Sequence, residues 1–181
     1  ATVMVGGEAR SIKDELEIDP TRTHYDNKNA GTGKTVTYGF KYQGNNFEIA
    51  DFTKESDVKG EIRRKDVKVL PVDQLWKTYD SERDVYVEGD DSIFTRRGGK
   101  QGPRVTTGDS VLKIESSGII SGDVVQNDSW AEFEDENAGT GKKVKYHTSF
   151  SGTDAANYRF VDVSGGEITK PLETDNNTIE K

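Results

Sequence analysis

The sequence predicts an all-β protein, and three observations support this fold class. Every second residue is apolar in residues 36–42, which is the pattern of a half-buried strand. Glycine-rich breaks separate this run from similar ones along the chain. No window has sustained helical spacing of apolar residues, since the best candidate, residues 72–76, would form only about one or two turns. Short strands with glycine turns and no long helix indicate an antiparallel all-β module.

The remaining strands follow from the same alternation. In chain order, the further alternating segments are residues 67–69, 112–114, 131–133 and 144–150. The glycine-containing breaks lie at residues 89–91, 98–99, 102–103 and 108–109. Each break can reverse the chain, so neighbouring segments are expected to pair as antiparallel strands.

A duplication organises the chain. The motif Asn-Ala-Gly-Thr-Gly-Lys occurs at residues 29–34 and again at residues 137–142, an offset of 108 residues. A Gly-Glu-Ile tripeptide recurs at residues 60–62 and 166–168, an offset of 106 residues. An internal period of this kind is typical of similar modules arranged along a chain.

The duplication sets the expected domain boundaries. We expect residues 1–62 to form the C-terminal part of a first repeat and residues 63–172 to form a complete repeat. Residues 173–181 are predominantly polar and are expected to be a tail or linker. Because Ala1 falls within a pattern, we also expect the chain to be a fragment of a longer protein.

The repeated motif is interpreted as a turn. Asparagine and glycine both accept the backbone angles that reverse a chain, which accounts for the motif without a ligand. A phosphate-binding loop would need a further glycine where Lys28 and Glu136 stand. The second copy also has Lys143 where that loop requires serine or threonine. Nucleotide binding is therefore not expected.

Composition excludes several classes of function. The 181 residues carry a formal net charge of −8, which argues against nucleic-acid binding because phosphates would be repelled. The chain contains no cysteine, so it has neither disulfides nor thiolate metal sites. No apolar run reaches the roughly 18 residues of a membrane span, so membrane insertion by this segment is not expected. No signal-peptide pattern opens the sequence.

No catalytic residue is predicted, and we expect the protein not to be an enzyme. His24 and His147 occupy different positions relative to the two motifs, and each is interpreted as a surface histidine. A structural calcium ion is the weak cofactor candidate, because carboxylates in loops suit a hard cation. Its candidate ligands are Asp90, Asp91 and Asp123, with further loop acids at Asp26, Asp109, Asp128 and Asp135. A Lys–Asn or Lys–Asp isopeptide crosslink is the other modification considered.

Several motifs occur together in a recognisable order. They are Lys-Thr-Tyr-Asp at residues 77–80, the segments at residues 133–142 and 151–158, and Ile-Thr-Lys-Pro-Leu at residues 168–172. This order resembles the YDG domain, a repeat of filamentous-haemagglutinin-type bacterial surface adhesins. The resemblance spans residues 63–172 in full and residues 1–62 in part. One departure is Ser81, which stands where the family name has glycine.

The resemblance implies a non-catalytic stalk or spacer repeat on a bacterial cell surface or in a secreted adhesin. We expect immunoglobulin-like β-sandwich modules in an elongated array, with a β-grasp-like sheet carrying a short helix as the alternative fold. The expected partners are neighbouring repeats of the same chain, and the expected role is adhesion or biofilm attachment. The alternative function is a module that binds a carbohydrate or host protein. Tyr86 and Phe94, in the charged stretch 82–104, are its weak candidate contacts.

Overall fold

The structure is a computed structural model of the chain. It describes residues 1–72, 74–85, 107–115 and 118–181, together with the backbone of 94–95 and 101–102. The chain divides into two compact units, Ala1–Arg64 and Lys65–Lys181, called unit 1 and unit 2 below. Strands dominate both units, and no helix of seven residues or more occurs among the described residues. The all-β fold class is therefore confirmed.

Unit 1 consists of seven described strands and one 3-10 turn at Lys13–Glu15. The strands are β1 (Thr2–Val5), β2 (Glu8–Ser11), β3 (Leu16–Tyr25), β4 (Gly31–Lys34), β5 (Val36–Tyr42), β6 (Phe52–Glu55) and β7 (Gly60–Ile62). β1 and β2 form a hairpin, β3, β5 and β6 form a sheet in that order, and β4 pairs with β7. Every one of these pairings is antiparallel, as the sequence predicts.

Unit 2 contains eleven described strands and 3-10 turns at Gly108–Ser110 and Ala155–Asn157. The first six are β8 (Lys65–Pro71), β9 (Trp76–Thr78), β10 (Phe94–Thr95), β11 (Gln101–Gly102), β12 (Leu112–Ile114) and β13 (Gln126–Asn127). The other five are β14 (Trp130–Phe133), β15 (Gly139–His147), β16 (Phe150–Ser151), β17 (Tyr158–Val161) and β18 (Leu172–Glu180).

Two sheets make up the body of unit 2. One has the strand order β12-β8-β17, and the other has the order β14-β15-β18-β9. Two short pairs, β10 with β11 and β13 with β16, complete the described strands. β8 pairs with β17 and β9 pairs with β18 in parallel, which departs from the antiparallel expectation. Period-two alternation marks a strand but carries no information about the direction of its partner, so the sequence could not reveal these pairs.

The core of unit 2 lies between these two sheets. Val69 and Leu112 contribute from the three-stranded sheet, and Phe133, Tyr146 and Ile179 contribute from the four-stranded sheet; all five are at most 1% exposed. The alternation of β8, β12 and β15 directs their apolar side chains to this shared interior. Burial of such side chains is the main favourable term in folding.

The C-terminal segment is a strand, which differs from the polar tail or linker expected over residues 173–181. β18 lies between β15 and β9, with Asn177 and Ile179 buried. The Asn177 side-chain amide donates to Lys142 O at 3.0 Å and its oxygen accepts from Leu75 N at 2.9 Å. A buried polar side chain satisfied in this way has no apolar signature, so composition alone suggested a loose segment.

Candidate functional site

The first copy of the repeated motif forms a loop that a lysine closes. Asp26 N donates to Thr35 O at 2.9 Å across the base of the loop, and Gly33 takes a positive φ of 69°. Lys34 is 7% exposed and turns back into the loop. Its Nζ lies 2.5 Å from Asn27 Oδ1 and 3.0 Å from Asp26 Oδ1. The motif is therefore part of a turn, and its last residue binds the two residues that begin the loop just before it.

The second copy reproduces this closure. Glu134 N donates to Lys143 O at 2.9 Å, and Gly141 takes a positive φ of 65°. Lys142, 9% exposed, donates from Nζ to Asp135, which occupies the position of Asn27 in the first copy. The equivalent lysine ammonium group thus donates to an amide oxygen in the first copy and to a carboxylate oxygen in the second. The interpretation of the motif as a turn agrees with this geometry.

The two lysines also lower the pKa of an acid in each loop. The Lys34 ammonium holds the pKa of Asp26 below its ordinary value, and the Lys142 ammonium does the same for the pKa of Asp135. These two acids were among the calcium candidates, and each has an ammonium group beside it. An isopeptide crosslink needs a protonated acid among buried groups, whereas Asp26 is 42% exposed at its side chain and favours ionisation.

A third buried lysine, Lys77, fastens the turn after β9. Its side chain is 1% exposed, and its Nζ donates to Asp80 Oδ1 at 2.7 Å and to Glu82 O at 2.5 Å. The same Nζ lies 3.2 Å from Asp84 O and 5.8 Å from the centre of the Phe133 ring. Because Phe133 ends β14, this lysine ties the turn to the opposite edge of the four-stranded sheet.

The backbone conformation of the tripeptide Tyr79-Asp80-Ser81 depends on the same contacts. Asp80 Oδ1 accepts from Glu82 N at 3.0 Å as well as from Lys77, which bends the chain at Ser81. Ser81 has a φ of 65°, the left-handed region that favours glycine. Ser81 therefore stands, with strain, at a backbone position that favours glycine.

Sequence reasoning missed all three lysines as structural groups, although two signals were present. Lys34 and Lys142 end both copies of the repeated hexapeptide, and Lys77 stands three residues before an aspartate. It also missed a repeated side-chain turn. Asp19 Oδ1 accepts from Thr21 N at 3.0 Å, and Asn127 Oδ1, 108 residues later, accepts from Ser129 N at 3.1 Å.

Some of the predicted site residues fall outside the described parts of the chain. Tyr86, Asp90 and Asp91 lie outside the described residues, and only the backbone of Phe94 is described, as the start of β10. Asp123 Oδ2 accepts from the Tyr158 hydroxyl at 2.6 Å. Within the described ranges, no three histidine or acidic side chains are grouped as a metal ion requires.

The two histidines have different surroundings. His24 Nδ1 lies 3.1 Å from Arg22 O in unit 1. His147 stacks on Trp130 with ring centres 4.0 Å apart, and its Nε2 lies 3.3 Å from Glu132 Oε1. Trp130 and His147 are direct partners in the β14–β15 register, so the sheet itself positions this stack.

Exposed aromatic side chains flank the Lys77 turn. Trp76 is 54% exposed and Tyr79 is 48% exposed, and the sequence did not single out either of them. Trp76 and Lys77 point to opposite sides of β9, an edge strand, which buries the lysine and leaves the indole on the outside. Among the described residues, this edge is one place on unit 2 where an aromatic contact with a ligand could form.

Comparison with known protein families bears on the same unit. A YDG domain is detected at residues 101–165. The matched stretch includes the second lysine-closed loop and the strands from β11 to β17, and it begins after the Tyr79–Ser81 turn. Comparisons with curated proteins and with solved structures gave no match. No helix among the described residues has the length and apolar character that a membrane span requires.

Proposed function

We propose that this chain is a non-catalytic stalk or spacer segment of a bacterial cell-surface adhesin, presented outside the cell and contributing to adhesion or biofilm attachment. The observation that carries the proposal is the lysine-closed loop, which the chain forms twice. In both copies the lysine closes a turn between strands, so the repeated residues have a structural role. The YDG domain detected at residues 101–165 supports the resemblance to the YDG domain from which this role is inferred.

In this proposal the units are immunoglobulin-like sandwiches arranged in an elongated array. The packing of Val69 and Leu112 against Phe133 and Tyr146 supports a two-sheet body for unit 2. The division of the chain at residue 64 supports separate units along its length. Units that each bury their own core and join end to end lengthen a protein without adding a binding site.

Small-angle scattering on the 181-residue chain tests the spacer role. A compact globule of this length has a radius of gyration of about 16 Å, and an end-to-end array must exceed that value clearly. Pulling on the two termini should then give separate unfolding events for unit 1 and unit 2. A radius of gyration near the globular value, or a single unfolding event, would contradict the proposal.

A carbohydrate- or host-protein-binding module is the second candidate, and the exposed Trp76 and Tyr79 favour it. Aromatic rings beside an edge strand can stack on a sugar face or enter a protein interface. A glycan array probed with wild type and with Trp76→Ala separates the two functions, because a spacer binds no glycan. Val163→Ala, at an apolar position that is 69% exposed, is the matched control. Tyr86→Ala and Phe94→Ala test the contacts expected from the sequence.

A further inference from the structure

One peptide bond of unit 1 joins the two residue types that favour its own cleavage. Asp19–Pro20, within β3, is the one Asp–Pro step in the sequence. An aspartate can attack its own carbonyl carbon, because the attack closes a five-membered ring. Proline is a good leaving group in acid, since its nitrogen carries no hydrogen and belongs to a tertiary amide. The groups around Asp19 therefore determine whether this bond is protected or activated.

The Asp19 carboxylate is held in place next to this bond. Asp19 is 2% exposed, and its Oδ1 accepts from Thr21 N at 3.0 Å and from Thr21 Oγ1 at 2.7 Å. Because Thr21 is the residue after Pro20, these bonds close a side-chain turn that keeps the carboxylate beside the Asp19–Pro20 peptide unit. A nucleophile positioned in advance reacts faster, since little freedom is lost in reaching the geometry of attack.

Neighbouring cations keep this carboxylate ionised. Arg22 Nε donates to Asp19 Oδ2 at 2.8 Å, and Lys41 Nζ, on β5, lies 3.7 Å from the same oxygen. Asp51 Oδ2 lies 2.6 Å from Arg22 Nη2 and holds the guanidinium group at this position. The hydrogen bonds from Thr21 and Arg22 hold the pKa of Asp19 well below its ordinary value. The nucleophile is thus present as a carboxylate at acidic pH, where solvent readily supplies the proton that the leaving nitrogen needs.

The carbonyl group of the same bond is polarised by a fixed hydroxyl. Thr23 Oγ1 donates to Asp19 O at 2.8 Å, and Gly39 N donates to that hydroxyl at 3.1 Å. Gly39 lies opposite Asp19 in the β3–β5 register, and a Cβ there would lie 2.6 Å from Arg22 Cβ, so this close approach requires glycine. A donor fixed on the carbonyl oxygen stabilises the negative charge that develops there during attack. Pro20 is exposed, so water and protons reach the leaving nitrogen.

We propose that Asp19–Pro20 is a self-cleavage site that the fold activates in acid, separating residues 1–19 from residues 20–181. An Asp19 carboxylate oxygen attacks the Asp19 carbonyl carbon and forms a cyclic anhydride as the bond to the Pro20 nitrogen breaks. The electron pair of that bond stays with the nitrogen, which takes a proton from solvent. One water molecule then opens the anhydride, so Asp19 ends with two carboxyl groups and Pro20 with a free amine. Each chain reacts once, so this inference goes beyond the spacer role and does not depend on it.

Mass spectrometry of the 181-residue chain tests the proposal, at the lowest pH at which its circular dichroism still matches that at pH 7. Samples denatured after incubation should contain fragments 1–19 and 20–181, which grow with time and form far more slowly at pH 7. The same chain in concentrated urea at the same pH is the reference for the unfolded bond. The folded chain should be cut about tenfold faster or more, because its reacting groups are already in position. Equal or faster cleavage in urea would overturn the proposal, since the hydrogen bonds to the carboxylate would then protect the bond.

Matched variants test the two groups that act on the bond. Thr23→Val removes the hydroxyl and should slow cleavage of the folded chain by about tenfold or more without changing the rate in urea, whereas Thr23→Ser should keep the wild-type rate. Asp19→Asn removes the nucleophile and should abolish both fragments. Its amide suits the turn, because Asn127 stands at this position in unit 2 and accepts the equivalent bond from Ser129 N. Wild-type cleavage rates in folded Thr23→Val or in Asp19→Asn would overturn the proposal, and the urea comparison of the wild type holds even if a variant unfolds.

Discussion

Replacing Ser81 by glycine tests whether the turn after β9 is strained. Ser81 holds a φ of 65°, which places its Cβ close to the following carbonyl oxygen, and glycine has no such contact. The substitution also removes one hydrogen bond, from Ser81 Oγ to the Tyr79 hydroxyl at 3.1 Å. Ser81→Ala removes the same bond and keeps the Cβ, so the pair of variants isolates the backbone effect.

The expected magnitude follows from three contributions. Relief of the left-handed conformation stabilises the fold by roughly 1–2 kcal/mol. The greater freedom of glycine in the unfolded chain costs about 0.4–1 kcal/mol, and loss of the exposed hydrogen bond costs about 0.5 kcal/mol. Both variants lose the hydrogen bond, so they differ only in the first two contributions, and Ser81→Gly should be about 0.8 kcal/mol more stable than Ser81→Ala. This difference corresponds to about 3 °C in the melting temperature of a unit of this size.

Tryptophan fluorescence is the appropriate assay, because both tryptophans of the chain, Trp76 and Trp130, lie in unit 2. Thermal melts of wild type, Ser81→Gly and Ser81→Ala should rank glycine first and alanine last. Ser121→Gly is the control, since Ser121 is exposed and is not at positive φ, and this variant should lose stability. A Ser81→Gly melt at or below that of Ser81→Ala would refute the argument from backbone strain.

Three further predictions concern charged and buried groups of unit 2. The pKa of Asp135 is lowered by Lys142, so the stability from this contact is full above the unfolded value of about 4 and is lost as pH falls through the lower folded pKa. Fluorescence melts between pH 7 and pH 2 should show this loss, and Asp135→Asn, the amide found in the first copy, should reduce it. Lys77→Met removes the buried ammonium group that donates to Asp80 Oδ1 and Glu82 O and should cost about 3 kcal/mol in urea unfolding, whereas exposed Lys113→Met should cost little. Burial, together with the hydrogen bond to the Asp123 carboxylate, raises the pKa of Tyr158, so Tyr158→Phe should reduce the late part of the absorbance titration at alkaline pH.

Alternation predicted the apolar strands well. The run at residues 36–42 is β5, and the short runs at residues 112–114 and 131–133 fall within β12 and β14. β18 escaped prediction because its inward positions include Asn177, which is buried only because its amide finds backbone partners. Such a position becomes visible once the partner strands are known, and a single sequence does not provide them.

The sequence predicted the backbone conformation of the two turn motifs but not the contacts of their side chains. Asparagine and glycine composition identified both loops, and Gly33 and Gly141 do adopt the positive φ that such residues permit. Lys34 and Lys142 were not identified as structural groups, because a lysine after a glycine is ordinarily a solvated surface residue. Their burial depends on a contact with the residue seven positions earlier, which only the folded loop brings close.

The two units also show where local sequence ceases to determine structure. Residues 52–55 and 158–161 hold the same place in the repeat, and both form strands. The first pairs antiparallel with β5 and the second pairs in parallel with β8. Strand formation is therefore common to both segments, whereas the strand partner differs because the two units offer different edges. In unit 2 the edge of β15 that corresponds to the edge of β5 is occupied by β18, and β17 pairs with β8 instead. Local sequence can thus mark a strand without choosing its partner, because the pairing depends on which edges the rest of the fold leaves available.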